Sequence, residues 1–341
     1  MVKTPPLRVG VIGAGAVAQA CHIPGYAKNR HTVLVAIADP ARPRHKEAKT
    51  FSPDVTCYTD FAKMLAREDL DVVSVCTPNK FHAPATIAAL KAGCHVLCEK
   101  PMAMSLAECD AMDAAARKAR KKLMIGFTHR FLSGPQKCKQ LLSDKKLGKP
   151  FMIRVRFAHG GPYPGWAKSD WFYNPDLALG GAMLDMGIHA IDLCLWLLGP
   201  ITAVSGRAAT LVKKIKVDDN ALLQLEFKNG ALGYIEVGWT SGPGFVGMEL
   251  YGTKGSLICD YLHTLRLCTG KASAGSDDVV KWKTLDKTPA KGGWDIEIDR
   301  WVDVIRGKEK LTMNARAGRA ALEVALAAYA SSRNGKRVTI S

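Results

Sequence analysis

The sequence predicts two domains of different fold class: an α/β Rossmann domain over residues 1–126 and an α+β domain over residues 127–341. Three observations support this division. The chain has 341 residues, which fits two domains of roughly 150 residues each. In the first third, apolar β-branched runs alternate with helical segments, as in a parallel sheet covered by helices on both faces. Further along, strands and helices occur in separate groups, as in an α+β domain with a large, mostly antiparallel open sheet.

Strands and helices alternate strictly in the first domain. Each strand is a short, continuous apolar run, which is typical of a strand buried on both faces. These strands are predicted at Leu7–Gly13, Val33–Ala38, Val72–Cys76, His95–Cys98 and Leu123–Phe127. Apolar residues at helical spacing predict the intervening helices. They lie at Ala16–Ala27, Pro43–Thr50, Phe61–Ala66, Ala83–Ala92 and Leu106–Ala119.

The second domain begins with a predicted helix, Pro135–Ser143, and an alternating strand, Phe151–His159, of the kind found in antiparallel sheets. An aromatic and glycine-rich loop over Gly160–Pro175 precedes an apolar helix over Gly181–Leu198. Turn residues then separate further strands, predicted near 201–211, 220–228, 231–239, 246–252, 256–260 and 263–269. The remaining predicted elements are a loop at Lys271–Asp278 and helices at Asp295–Arg306 and Ala315–Ser332.

A glycine-rich turn joins the first strand to the first helix. It reads Gly13-Ala14-Gly15-Ala16-Val17-Ala18, a GxGxxA form of the dinucleotide-binding fingerprint. The first glycine permits the tight turn, and the second lets the backbone approach a pyrophosphate. The helix N-terminus presents free N–H groups to that anion. We therefore assign Gly13, Gly15, Ala16 and Val17 to cofactor binding.

Asp39 ends the second strand, where an acidic residue can hydrogen-bond the adenosine ribose. Its carboxylate favours NAD because it would repel the 2′-phosphate of NADP. Arg42 and Arg44 follow closely and could clamp such a phosphate. The sequence therefore predicts NAD as the preferred cofactor, with NADP as the alternative, and assigns Asp39 and Arg42 to the cofactor site.

Two further groups of residues indicate chemistry. One predicted strand runs directly into Glu99-Lys100-Pro101, and open α/β sheets bind ligands at the carboxyl ends of their strands. Proline restricts Lys100 to extended backbone geometry, and we predict that the Lys100–Pro101 peptide bond is cis. The apolar helix contains Asp185 and His189, which are four residues apart and share one helical face. A helix-stabilising Asp–His pair is the alternative interpretation.

Together with the segment Thr77-Pro78-Asn79 and His82, these motifs resemble the Gfo/Idh/MocA family of oxidoreductases. That family includes glucose–fructose oxidoreductase and inositol dehydrogenases. The resemblance spans essentially the whole chain, and the Glu-Lys-Pro turn combined with the Asp-x-x-x-His helix is more specific than the glycine turn. It implies that further residues line the cofactor: Thr77, Pro78, Asn79, His82, Glu99 and Lys100.

The resemblance also implies hydride transfer between a nicotinamide and a hydroxyl-bearing carbon of a sugar, anhydro-sugar or inositol. His189 would take the hydroxyl proton as general base. Lys100 would hydrogen-bond the reacting oxygen and stabilise its developing negative charge. Asp185 would orient His189 or bind a neighbouring hydroxyl. These three are the predicted catalytic residues.

Residues outside these motifs are also assigned to the substrate. Arg130 follows the last strand of the first domain. Arg156 alternates with apolar residues on a strand and faces either an anionic group of the substrate or solvent. Trp166, in the aromatic loop, stacks on a sugar face or anchors the loop. The predicted substrate-binding residues are Lys100, Arg130, Arg156, Trp166, Asp185 and His189.

Two other functions are compatible with the motifs. Some relatives use tightly bound NAD transiently for glycoside cleavage or internal redox exchange. A non-catalytic dinucleotide-sensing regulator is the other alternative, although the set Lys100, Asp185 and His189 argues against it. The resemblance further implies a homodimer or homotetramer formed through the C-terminal sheet.

Composition argues against several classes of protein. Lys and Arg number 48 against 31 Asp and Glu, a net charge of +17, but the excess is spread over both domains, so we expect no nucleic-acid partner. No uninterrupted run of about 18 apolar residues occurs, and the apolar run near the start is too short for a secretory signal, so we expect no membrane partner. The ten cysteines form no CxxC pair. We therefore expect reduced thiols, no metal site and a cytoplasmic location.

Overall fold

The computed structural model describes residues 5–241, 245–269 and 281–340, apart from the side chain of Asp295, and the chain forms two compact units. The first unit contains the chain up to Phe127, together with Pro162–Leu179 and Trp294–Leu322. The second contains the described residues of Thr128–Gly161, Gly180–Gly293 and Glu323–Ser341. The units are thus built from interleaved segments, whereas the predicted domains meet at a single boundary. The predicted loop Lys271–Asp278 lies outside the described residues.

The first unit is built on a six-stranded parallel sheet of order β3-β2-β1-β4-β5-β6. Its strands are β1 Leu7–Ile12, β2 Thr32–Ala38, β3 Thr56–Tyr58, β4 Val72–Val75, β5 His95–Glu99 and β6 Leu123–Gly126. This is the doubly wound order of dinucleotide-binding folds, in which ligands bind where the strand order reverses. The predicted α/β fold is confirmed. β3 escaped prediction because it is a three-residue edge strand without an apolar run.

The second unit is built on a nine-stranded sheet of order β14-β13-β12-β11-β7-β10-β9-β8-β15. Its strands are β7 Pro150–Ala158, β8 Ile201–Ala209, β9 Asn220–Phe227, β10 Leu232–Gly238, β11 Gly247–Gly252, β12 Gly255–Asp260, β13 Leu265–Thr269, β14 Lys283–Asp286 and β15 Val338–Thr339. The mostly antiparallel sheet was predicted correctly. β7, however, lies antiparallel to β11 and parallel to β10, because alternation reports a buried face and not the direction of the neighbouring strand.

The α-helices are α1 Ile23–Lys28, α2 Arg42–Lys49, α3 Phe61–Arg67, α4 His82–Lys91, α5 Leu106–Ala119, α6 Ser133–Ser143, α7 Pro175–Ala178, α8 Ile188–Leu198, α9 Trp294–Ile305 and α10 Ala315–Asn334. Two predicted helices begin instead with a wider π turn, at Ala18–His22 before α1 and at Met183–Gly187 before α8. Single π turns inside helices are frequent at functional sites. The predicted glycine turn runs into the first of these π turns, and Asp185 lies within the second.

The core explains why α8 is so apolar. Pro175–Leu198 is a stretch of the described chain long and apolar enough to cross a membrane, yet 83% of its apolar window is buried inside the protein. Helix α8 packs against β7 and β10, whose buried residues include Val155, Phe157, Ile235 and Val237. Its apolarity is therefore that of a core helix. All ten cysteines are among the described residues, and none forms a disulfide.

Candidate active site

The glycine turn after β1 has the geometry that the fingerprint predicts. Gly13 has φ +84°, and a Cβ there would lie 2.7 Å from the carbonyl carbon and oxygen of Cys76, so only glycine fits. A Cβ on Gly15 would meet nothing within 4 Å. Gly15 therefore borders open space, as required where a phosphate approaches the backbone. Ala16 and Val17 follow in the same turn and are half-buried.

Asp39 supports this turn from the end of β2. Its side chain is 2% exposed, and Oδ2 accepts hydrogen bonds from the Ala14 backbone N–H at 2.8 Å and from Arg44 Nη1 at 3.0 Å. Oδ1 accepts from the Ala41 backbone N–H at 2.8 Å. The Arg44 ion pair reduces the repulsion that the Asp39 carboxylate would exert on a 2′-phosphate. Arg42, in contrast, is exposed and lines an open cavity of about 510 Å³ that also includes Lys63.

His82 joins the loop after β4 to the turn after β5. Its Nδ1 lies 2.7 Å from the Pro101 carbonyl oxygen, and its Nε2 lies 2.9 Å from that of Thr77. Burial lowers the pKa of His82. The Lys100–Pro101 bond is cis, as the sequence predicted. The histidine thus links the backbone of the two segments that contain the predicted cofactor residues Thr77 and Lys100.

The residues around Thr77 test whether a cofactor fits here. The Thr77 hydroxyl is buried and has no hydrogen-bond partner among the described residues. A cofactor hydroxyl or phosphate at this switch point would supply that missing hydrogen bond. Pro78 follows directly and adopts extended backbone geometry. The buried Asn79 amide instead donates to the Ala178 carbonyl at 2.8 Å. The open side of Gly15 and the Thr77 hydroxyl therefore both suit a bound dinucleotide.

Glu99 points into the interior of the first unit. Its Oε1 lies 3.0 Å from His22 Nε2, and its Oε2 accepts the Lys100 backbone N–H at 3.2 Å. Burial would raise the pKa of Glu99, but the hydrogen bond and charge of His22 outweigh burial and hold it below its usual range. The resemblance assigned Glu99 to the cofactor, and that assignment remains a prediction. The structure adds His22, which sequence reasoning missed.

Asp185 and His189 lie at the start of the α8 segment, and both are buried. Asp185 belongs to the π turn, and the indole Nε1 of the fully buried Trp239 donates to its Oδ2 at 3.2 Å. The His189 ring stacks on the His129 ring, with centroids 4.3 Å apart and planes at 19°. The two predicted catalytic groups are therefore held by contacts with aromatic rings.

Arg130 pairs with Asp192, which lies on α8 three residues after His189. Its Nε and Nη2 donate to Oδ2 and Oδ1 of Asp192 at 2.7 and 2.6 Å, and both side chains are buried. Burial raises the pKa of Asp192, and the charge and hydrogen bonds of Arg130 partly offset that effect. The structure thus gives Arg130 an ion pair that the sequence did not predict. Its contact with substrate remains a prediction.

The other two predicted substrate residues have different surroundings. Arg156 on β7 donates to Glu236 Oε1 at 2.7 Å and to the Phe245 carbonyl. These are the contacts of a polar sheet face, which was the alternative interpretation. Trp166 is 51% exposed, and its ring contacts that of Phe172 edge to face, with centroids 5.2 Å apart and planes at 77°. The assignment of Arg156 and Trp166 to the substrate remains a prediction.

Sequence reasoning missed His22 and His129 and gave Trp239 no definite role, because their partners are distant in the chain. His22 meets Glu99 across 77 residues, and Trp239 meets Asp185 across 54. His129 had one available signal: it directly precedes Arg130 after β6, at the carboxyl edge of the sheet where functional residues gather.

The doubly wound sheet and its glycine turn define a dinucleotide-binding protein, and the second unit adds a buried Asp/His helix on an open sheet. The chain belongs to the GFO/IDH/MocA oxidoreductase family. Residues 7–127 match the family model described as "Oxidoreductase family, NAD-binding Rossmann fold". Residues 136–258 match the one described as "GFO/IDH/MocA C-terminal domain". The resemblance predicted from the motifs is confirmed.

Three similar proteins illustrate the range of the family. The chain is 33% identical over 252 residues to D-glucoside 3-dehydrogenase of Escherichia coli (strain K12), covering 69% of this chain and 71% of the relative. It is 31% identical over 260 residues to myo-inositol 2-dehydrogenase of Thermotoga maritima, covering 74% of this chain and 75% of the relative. The crystal structure of GenD2 from gentamicin A biosynthesis, in complex with NAD, superposes with a TM-score of 0.86 at 26% identity, covering 100% of this chain and 98% of that one.

Proposed function

We propose that this protein is an NAD(P)-dependent dehydrogenase that transfers a hydride between the nicotinamide and a hydroxyl-bearing carbon of a sugar, anhydro-sugar or inositol. The observation that carries the proposal is that the structure holds both predicted ionisable residues in place: the Lys100 backbone donates a hydrogen bond to Glu99, and the buried His189 ring stacks on His129. Relatives named as glucoside and inositol dehydrogenases support the substrate class. When bound, the nicotinamide supplies the hydride acceptor or donor.

His189 acts as the general base in this proposal. A histidine changes its charge near neutral pH and can take a hydroxyl proton as the hydride leaves. Stacking on His129 limits rotation of the His189 ring, so its nitrogens keep fixed directions. Asp185, anchored by the Trp239 indole, orients His189 or binds a neighbouring hydroxyl of the substrate.

Lys100 stabilises the negative charge that develops on the reacting oxygen. Such stabilisation is effective when the donor is fixed in advance, because little reorganisation is then needed during the reaction. The Lys100 backbone N–H donates a hydrogen bond to the Glu99 carboxylate, and the carbonyl oxygen of the adjoining Pro101 is within hydrogen-bond distance of His82 Nδ1. These two contacts support a fixed backbone at the base of the lysine side chain.

We propose NAD as the preferred cofactor and NADP as the alternative. Asp39 supplies the carboxylate that favours NAD, while its ion pair with Arg44 and the exposed Arg42 nearby leave room for a 2′-phosphate. A cytoplasmic homodimer or homotetramer formed through the sheet of β7–β15 completes the proposal, with no nucleic-acid or membrane partner.

A substrate screen tests the function directly. Polyols, aldoses, inositols and anhydro-sugars are incubated with NAD or NADP, and absorbance of the reduced nicotinamide is followed. We expect turnover with at least one of these compounds. If the purified protein already contains bound cofactor and releases no net NADH, the result would favour internal redox exchange. Inactivity with every compound would favour a regulator.

The assignment of Lys100 is tested by Lys100→Met. We expect turnover to be abolished while NADH binding, measured by fluorescence titration, is retained, because the substitution removes the ammonium and keeps most of the side-chain volume. Lys91→Met is the matched control, since Lys91 is an exposed lysine at the end of α4. Turnover retained by Lys100→Met would refute the assignment.

A further inference from the structure

A buried chain of hydrogen bonds leads to the backbone of Lys100 within the first unit. It begins at Tyr26 Oη, which lies 2.8 Å from Ser74 Oγ, and Ser74 Oγ lies 3.1 Å from His22 Nδ1. His22 Nε2 lies 3.0 Å from Glu99 Oε1, and Glu99 Oε2 accepts the Lys100 N–H. Tyr26, Ser74 and His22 are 0% exposed. The chain therefore joins α1, β4 and the π turn to the carboxyl end of β5.

A second carboxyl group lies beside this chain. Glu297 on α9 is 1% exposed. One of its carboxyl oxygens, one ring nitrogen of His22 and one carboxylate oxygen of Glu99 all lie within 4.8 Å of one another. Burial and the negative charge of Glu99 both raise the pKa of Glu297 well above its usual value. Two adjacent buried carboxyl groups favour one ionised and one protonated member, which here are Glu99 and Glu297.

Histidine and two glutamates are also a donor set that binds metal ions. Both ring nitrogens of His22, however, are already at hydrogen-bond distance from Ser74 and Glu99. A cation could bind His22 only by breaking one of those contacts. The geometry is therefore that of a closed hydrogen-bonded chain.

We propose that His22 is a positioning residue for Lys100: it orients the Glu99 carboxylate, which holds the backbone N–H of the lysine at the end of β5. This inference rests on the proposed function of Lys100. His22 is fully buried, and so is Tyr26 at the far end of the chain, while His22 Nε2 contacts the Glu99 carboxylate. Its effect on the reaction is therefore exerted through Glu99.

Kinetics of His22 variants test the role. We expect His22→Ala to lower kcat at least about tenfold while KM for NAD changes little, because a small displacement of a catalytic group costs rate rather than cofactor affinity. His22→Gln, whose amide can still donate to Glu99, should recover much of the loss, and Tyr26→Phe should lose less than His22→Ala. The matched control is His95→Ala at the opposite end of β5, where the half-buried ring accepts the Lys122 N–H; it should keep kcat within about twofold.

A measurement without turnover separates this inference from the proposed function. Lysines are methylated with ¹³C-formaldehyde, and the Lys100 resonance is assigned by its loss in Lys100→Arg. We expect His22→Ala to shift that resonance and its pH titration, and His95→Ala to leave both unchanged. An unshifted resonance, or equal kcat losses in His22→Ala and His22→Gln, would overturn the role of His22. Inactivity of the wild type with a shifted resonance would overturn only the proposed function.

Discussion

At the scale of single residues, the bidentate pair of Arg130 and Asp192 is a buried ion pair with near-ideal geometry. Guanidinium and carboxylate forks match each other in this arrangement, and removing one partner leaves the other charge buried without it. Asp192 lies one turn after His189 on α8. The pair therefore joins the segment after β6 to the helix that carries the proposed base.

We predict that Asp192→Ala lowers the free energy of unfolding by about 3–5 kcal/mol, because it leaves the Arg130 cation buried without its carboxylate. The double variant Arg130→Met/Asp192→Leu should recover a large part of the loss. Urea denaturation measures both. The control is Asp113→Ala, which breaks an exposed pair with Arg117 on α5 and should change stability by less than about 1 kcal/mol. Equal losses in Asp192→Ala and Asp113→Ala would contradict the assignment.

At the scale of an element, the turn between β1 and the first π turn contains two glycines with different functions. The positive φ of Gly13 and its contact with Cys76 are requirements of the fold. A methyl group on Gly15 would have no neighbour within 4 Å, so the fold does not require a glycine there, and we attribute it to the proposed dinucleotide. The proposed function thus gives the second glycine a binding role, whereas the first is explained by the fold alone.

We predict that Gly13→Ala lowers the free energy of unfolding by more than about 1 kcal/mol, since the left-handed backbone alone costs about that much for alanine. Gly15→Ala should keep the wild-type melting temperature and weaken NADH binding at least about tenfold, because the added methyl group lies where a pyrophosphate approaches. Thermal unfolding and NADH fluorescence titration separate the two effects. Tight NADH binding by Gly15→Ala would place the pyrophosphate elsewhere.

The elements that the sequence predicted are those defined by local patterns. Continuous apolar runs located five strands of the first sheet, and the fingerprint located the turn. The edge strands β3, β14 and β15 have four residues or fewer and carry no apolar alternation. The contacts of the site depend on chain segments far apart, such as His22 with Glu99 and His129 with His189. No local pattern encodes those pairs, so only the fold reveals them.

At the scale of the whole molecule, burial of Glu297 makes stability depend on pH. An unfolded glutamate ionises near pH ~4.3, whereas burial and Glu99 raise the pKa of folded Glu297 well above its usual value. Between these two pKa values the folded state holds a proton that the unfolded state has lost. The contribution of Glu297 to stability is therefore complete below pH ~4.3 and is lost as pH rises toward the folded pKa.

We predict that Glu297→Gln raises the melting temperature at neutral pH, because glutamine has the shape of the protonated acid and never ionises. The difference from the wild type should be small near pH 5 and grow toward pH 8. Thermal unfolding across this range is the measurement. Asp54→Asn, at an exposed acidic residue of the same unit, should show no such trend. A difference independent of pH would show that Glu297 does not retain its proton.

The long sequence separation between β7 and its neighbours in the sheet has a consequence for biosynthesis. Its two partners in the sheet come late in the chain: Arg156 pairs with Glu236, 80 residues later, and Arg154 with Glu249, 95 residues later. Long-range pairing slows folding and exposes strand edges in the meantime. As the chain leaves the ribosome, β7 is complete before either neighbouring strand has been synthesised. Its apolar face must therefore stay shielded from other nascent chains until β10 and β11 emerge.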